Sequence, residues 1–145
     1  SVMEKPQKNL MFLLDTDALS ELIKRSQSEI LIRKLKDHPA DAFRCSSISV
    51  MELRAGSMRR PDHQRFWTRI EGELLSRVRI LPFGADEAQR AGDLLADLFQ
   101  KGTPIGIEDV MIAATAIHYG CIVITGNIRH FGKVPGLRVE NWVRG

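Results

Sequence analysis

Short apolar runs alternate with amphipathic stretches along this chain. Residues 10–14 read LMFLL and stop at polar Asp15, Thr16 and Asp17. So short and unbroken an apolar run predicts a strand covered on both faces, as in a parallel sheet. Residues 18–25 read as a helix, with Thr16 or Asp17 offering a side-chain oxygen to the free amides of its first turn. Residues 28–36 place Ile30, Leu31, Lys34 and Leu35 at helical spacing behind Ser28 as a cap. Residues 38–41 form a loop, and residues 42–46 a second strand. Residues 49–58 predict a helix with Glu52 in its first turns. Residues 62–77 predict one longer helix with Phe66, Ile70 and Leu74 on one stripe.

Residues 78–81 (VRIL) form a short strand closed by Pro82. Residues 86–100 predict a helix ended by Gly102, and residues 108–119 an apolar helix stopped by Gly120. CIVIT at 121–125 is a strand, and residues 136–142 hold a last short one. Strands alternating with helices imply crossover units and an α/β fold with a mostly parallel, doubly wound sheet. The 145 residues suit one domain. We place it at 11–145, behind a flexible leader at 1–10.

Composition narrows the class. Hydrophobic residues make up 43% and charged residues 27%, which excludes wholesale disorder. No apolar run approaches the roughly 18–20 residues of a membrane span. The first ten residues lack the apolar core of a secretory signal, so a cytoplasmic protein is expected. Cys45 and Cys121 each lie in an apolar segment, as buried free thiols would.

In open α/β sheets, ligands bind beyond the carboxyl ends of the strands. Asp15 and Asp17 follow the first strand, Glu52 the second, and Asn127 the CIVIT strand. Asp109 opens the helix that leads into that strand. Singly, each acid has a bland reading, as a helix cap, a solvated residue or a partner of the helix dipole. Gathered at one edge without basic neighbours, they repel one another unless a cation is present. Few, hard oxygen donors suit Mg²⁺ or Mn²⁺ with several waters retained. Such a site commonly acts on phosphates.

Four motifs in order then carry a resemblance. They are LLDTDALS at 13–20, SISVMEL at 47–53 with Gly56 following, PIGIEDVMIAATA at 104–116, and VITGN at 123–127. Phe131, the Pro135-Gly136-Leu137 turn and Asn141-Trp142 complete the last. From Met11 to Trp142 the chain resembles the PIN-domain nucleases, in particular the VapC toxins of bacterial toxin–antitoxin pairs. The resemblance implies a three-layer α/β/α domain and divalent-metal-dependent hydrolysis of an RNA phosphodiester, most commonly in tRNA. It leaves 5′-phosphate and 3′-hydroxyl ends.

It further implies Asp15, Glu52 and Asp109 as catalytic residues and anchors of Mg²⁺ (or Mn²⁺). A VapB-like antitoxin would silence the enzyme, in a homodimer or a toxin–antitoxin hetero-oligomer. Asn127 stands where many members carry Asp. Its carbonyl would hold a water on the cation without adding charge, so one tightly bound Mg²⁺ plus a second recruited with substrate is expected. Thr16, Asp17 and Thr125 would orient carboxylates or waters. For both threonines, local backbone bonding stays equally open.

The net charge of +3 is unevenly spread. Residues 22–38 carry +3, 54–79 carry +4 and 128–145 carry +3, whereas 80–110 carry −4. Arginine forks suit phosphates, so Arg54, Arg59, Arg60 and Arg65 are expected to flank the acidic pocket and hold RNA. The alternative is a solvated helix face. His38, His63, His118 and His130 show no metal-binding spacing, and His130 takes a structural role. Phe66, Trp67 and the apolar faces of the helices over Leu22–Leu35 are candidates for an antitoxin groove or dimer surface, against core packing. Two other functions remain. One is a non-catalytic nucleic-acid-binding module of the same fold. The other, a phosphoacceptor receiver domain, wants a lysine just after a late strand, and Lys133 stands too far on.

Overall fold

The structure, a computed structural model, describes residues 9–24 and 26–144. The expected leader, up to residue 8, and Arg25, the expected end of the first helix, lie outside the described residues. Five parallel strands form one sheet in the order β3-β2-β1-β4-β5. They are β1 (Phe12–Leu14), β2 (Phe43–Ser46), β3 (Arg79–Leu81), β4 (Ile122–Ile124) and β5 (Val139–Glu140). β1 and β4, the central pair, are fully buried, as their apolar runs require.

Alternation along the strands sorts side chains into two cores. Phe12, Leu14, Phe43, Cys45, Ile122 and Ile124 face one layer. It contains α1 (Thr16–Ile23), α2 (Glu29–Lys36) and the segment after α4 (His63–Arg69). Leu13, Leu81 and Val123 face the other, with α5 (Ala85–Gln100), α6 (Ile107–Tyr119) and α7 (Ile128–Phe131). α3 (Ser47–Met58) spans the two, with Ile48 in one core and Leu53 in the other. Each fully buried leucine contributes roughly 1.5–3 kcal/mol. This is the expected three-layer α/β/α arrangement.

Three local expectations need correction. Residues 62–77 are not one helix: α4 gives way to a π-helical turn at Ile70–Leu74 and a 3₁₀ turn at Leu75–Arg77. Ile70 and Leu74 are both buried in the core across this break. The loop at 38–41 runs into a 3₁₀ turn at Ala40–Ala42, and β2 starts after it. α7 was not foreseen, because four residues are too few to show a period. At the end of α6, Gly120 adopts φ 71°, a left-handed cap open to glycine at no steric cost.

Cys45 and Cys121 are buried free thiols. Burial pushes them up to about 12 and about 11, so neither supplies a thiolate. Among the described residues, no helix is long and apolar enough to cross a membrane.

Candidate active site

Helical geometry begins directly after β1, so Asp15 itself caps α1, and its Oδ1 accepts from the Ala18 amide at 2.8 Å. The cap expected of Thr16 or Asp17 therefore falls earlier, which leaves both side chains for other partners. Thr16 Oγ1 donates to Glu52 Oε1 at 2.6 Å. That spends its proton, so the 2.8 Å contact with Ser49 Oγ has Ser49 as donor. Ser49 and Glu52 both lie on α3. One threonine thus ties α1 to α3 and fixes a carboxylate.

Asp15 is 4% exposed. Burial pushes its carboxyl up to about 7, and the negative charges of Asp17 and Asp109 add to the shift. The Thr125 hydroxyl and the Ala18 amide oppose it. Thr125 Oγ1 accepts from the Asn127 amide at 2.8 Å. The bond that Thr125 makes in the structure is thus to the local backbone.

Asp109 stands in the first turn of α6. His130, on α7, places Nδ1 3.0 Å from Asp109 Oδ2 and 2.9 Å from Asn127 Nδ2. A proton on that nitrogen serves the carboxylate; without it, the nitrogen accepts from the amide. Asp17 Oδ2 accepts from the Gly126 amide at 3.2 Å and from Arg144 Nη1 at 3.3 Å.

These residues surround one cavity of about 350 Å³, lined by Asp15, Thr16, Asp17, Glu52, Asp109, Gly126, Asn127 and Arg144. The expected convergence of acids at the carboxyl edge is met. The expectation that they lack basic neighbours is not, since Arg144 shares the lining and His130 touches Asp109. Ser49, Gly126 and Arg144 carry no sequence signal for the pocket, and His130, expected near the site in a structural role, bonds Asp109 directly. Arg144 lay within a counted basic segment, but nothing in its spacing pointed to the pocket.

The donor set fits a hard divalent cation. It is oxygen-rich, and a carboxyl pushed up to about 7 by burial, with the charges of Asp17 and Asp109 adding, is a group that a cation relieves. Among the described residues, no three of His, Cys, Asp and Glu close on a single point. The carboxylates instead stand around the cavity, which suits an ion that keeps several waters.

The four candidate RNA-binding arginines lie elsewhere. None lines the acidic cavity. Arg54 sits 5.0 Å over the Trp67 ring. Arg60 lies 3.7 Å over Phe66 and makes two bonds to Asp62, at 2.8 and 3.0 Å. Arg65 lines a groove with Lys24, Phe66 and Arg69. Arg59 is exposed at the end of α3. Phe66 and Trp67 are half-buried against the core beneath these cations.

Fold and pocket together define a PIN domain, and the PIN domain family model matches residues 12–137. A tRNA(fMet)-specific endonuclease VapC from Salmonella typhimurium is 35% identical over 133 residues, which cover 92% of this chain and 98% of that protein. Ribonuclease VapC2 from Haemophilus influenzae is 38% identical over 134 residues, covering 92% and 99%. The solved structure of DNA-bound VapBC from Salmonella typhimurium aligns with a TM-score of 0.84 at 34% identity, covering 92% of this chain and 98% of that one. The chain belongs to the PIN-domain family, as one of its VapC ribonucleases. Nucleases of this kind generally depend on a divalent metal.

Proposed function

We propose that this chain is the toxin of a toxin–antitoxin pair, a single PIN domain over 11–145 that hydrolyses RNA phosphodiester bonds with Mg²⁺ (Mn²⁺ as substitute). The observation that carries the reading is the meeting of Asp15, Glu52 and Asp109, from three separate elements, around one cavity at the sheet's carboxyl edge. The relatives' names support tRNA as substrate, and the VapBC complex supports a VapB-like antitoxin as partner. The cytoplasm is the place of action.

Asp15, Glu52 and Asp109 would hold the cation, and Asn127 would act through a water. A divalent ion held there would supply polarisation of the phosphate and a more acidic bound water. The chain's own residues keep that arrangement in place. Thr16 restrains Glu52 and the Ala18 amide restrains Asp15, so neither carboxylate swings away when the strand enters. Arg54, Arg59, Arg60 and Arg65 would hold flanking phosphates beyond the pocket, along α3 and α4.

Sequencing RNA ends after inducing wild type and Asp109→Ala in cells tests this. New ends only with wild type would support the reading and name the target. Identical profiles would reject it, in favour of a module that binds nucleic acid without cutting.

A further inference from the structure

Among the described residues, Arg144 is the one basic side chain on the lining of the acidic cavity. The chain delivers it there with care. Trp142 packs against Phe12 at 4.9 Å and stacks on His38 at 5.4 Å. Val143 is buried, and Ser28 Oγ donates to its carbonyl at 2.8 Å. Asn141 Oδ1 accepts from the amides of Val143 and Arg144, both at 2.9 Å. The backbone is thus fixed up to the residue that carries the guanidinium.

Arg144 Nη1 then donates to Gly126 O at 2.7 Å and to Asp17 Oδ2 at 3.3 Å. The seat exists only because position 126 is glycine. A Cβ there would lie 1.7 Å from Arg144 Nη1 and 2.4 Å from Asp17 Oδ2. Stability does not account for this construction. The two side chains are 59% and 43% exposed, and an ion pair so placed contributes about 0–1 kcal/mol. Both of its bonds use one nitrogen. Nη2 and Nε make no bond among the described residues, and they remain as donors beside four carboxylates.

We propose that Arg144 binds a phosphate of the RNA strand at the mouth of the acidic cavity, with Asp17 and Gly126 as its seat. The inference rests on the ribonuclease reading for the identity of the strand. A pocket of carboxylates repels a polyanion. A fixed planar fork at its edge offsets that repulsion and sets where the backbone lies. Asp17 in this scheme holds the guanidinium rather than the cation.

The test is binding of fluorescein-labelled tRNA to the full chain in EDTA, so that no cleavage intervenes, over a range of salt. Arg144→Gln should weaken binding roughly tenfold and flatten the slope of log affinity against log salt by about 0.7–0.9, one phosphate contact. Arg144→Lys should keep the slope. Gly126→Ala, which removes the seat, should repeat the loss. Binding by Arg144→Gln equal to wild type, at unchanged slope, overturns the proposal. So does recovery of binding when Asp17→Asn is added to Arg144→Gln, since the arginine would then only cancel a carboxylate. A cleavage assay of wild type in Mg²⁺ stands apart from these arms. If wild type cuts no RNA while the slope still falls, the ribonuclease reading fails and the phosphate contact stands.

Discussion

In the acidic pocket, charged side chains are held by residues far away in sequence; at the two ends of α4 they are held by neighbours. Thr16–Glu52, His130–Asp109 and Arg144–Asp17 span 36, 21 and 127 residues. Arg60–Asp62 and Arg69–Glu73 span 2 and 4. The first set exists only once β1, α3, α6, α7 and the tail have packed, so its geometry is a product of the whole fold. The second set joins near neighbours in sequence and does not depend on the packing of the whole fold. A pocket for chemistry needs fixed carboxylates, whereas a surface that meets a long polyanion tolerates cations that move. Substitutions in the two regions should therefore differ in size and in kind.

The largest effect belongs to Glu52→Gln. The Thr16 hydroxyl can still donate to the amide oxygen, so folding is kept while one negative charge leaves the cavity. Cleavage measured in Mg²⁺ should fall on the order of 1,000-fold, with tRNA binding in EDTA retained. Thr16→Val sharpens the point by keeping the carboxylate and losing only its restraint. Cation affinity followed by calorimetry should drop about 10- to 100-fold.

Asp15→Asn should act on stability in the opposite direction. Asn still caps α1. Folding raises the carboxyl of Asp15 from 3.8 to about 7, so between those values the folded state holds a proton that the unfolded chain has released. The stability this group contributes is present at low pH and is lost as pH rises towards 7. Without divalent cations, the Tm of wild type should therefore fall relative to Asp15→Asn between about pH 4 and pH 7. Added Mg²⁺ should raise the Tm of wild type and not that of the variant. The smallest effect falls on the arginine face. Arg59→Ala with Arg60→Ala should weaken tRNA binding only a few-fold and reduce its salt slope, with cation affinity unchanged.

Much of this was legible in the residues. The apolar runs at 10–14 and 121–125 marked the paired central strands β1 and β4, because a doubly covered strand has no polar face to interrupt the run. The acids were legible because Asp15 and Glu52 follow strands and Asp109 opens an apolar helix. What holds those acids was less so. The Thr16–Glu52 bond was one of two open readings, and the Arg144 seat depends on a tail folded back over residues 126–127. A contact across 127 residues leaves no period to read. The π-helical turn was hidden because Phe66, Ile70 and Leu74 also fit an unbroken helix.

Metal-dependent cleavage by the acidic pocket is tested by incubating the purified chain with tRNA at increasing Mg²⁺, beside Asp109→Asn at the same concentrations. Cuts should appear with Mg²⁺, vanish in EDTA, carry 5′-phosphate ends and be absent with the variant. Equal cutting by wild type and variant, or cutting that persists in EDTA, would contradict it.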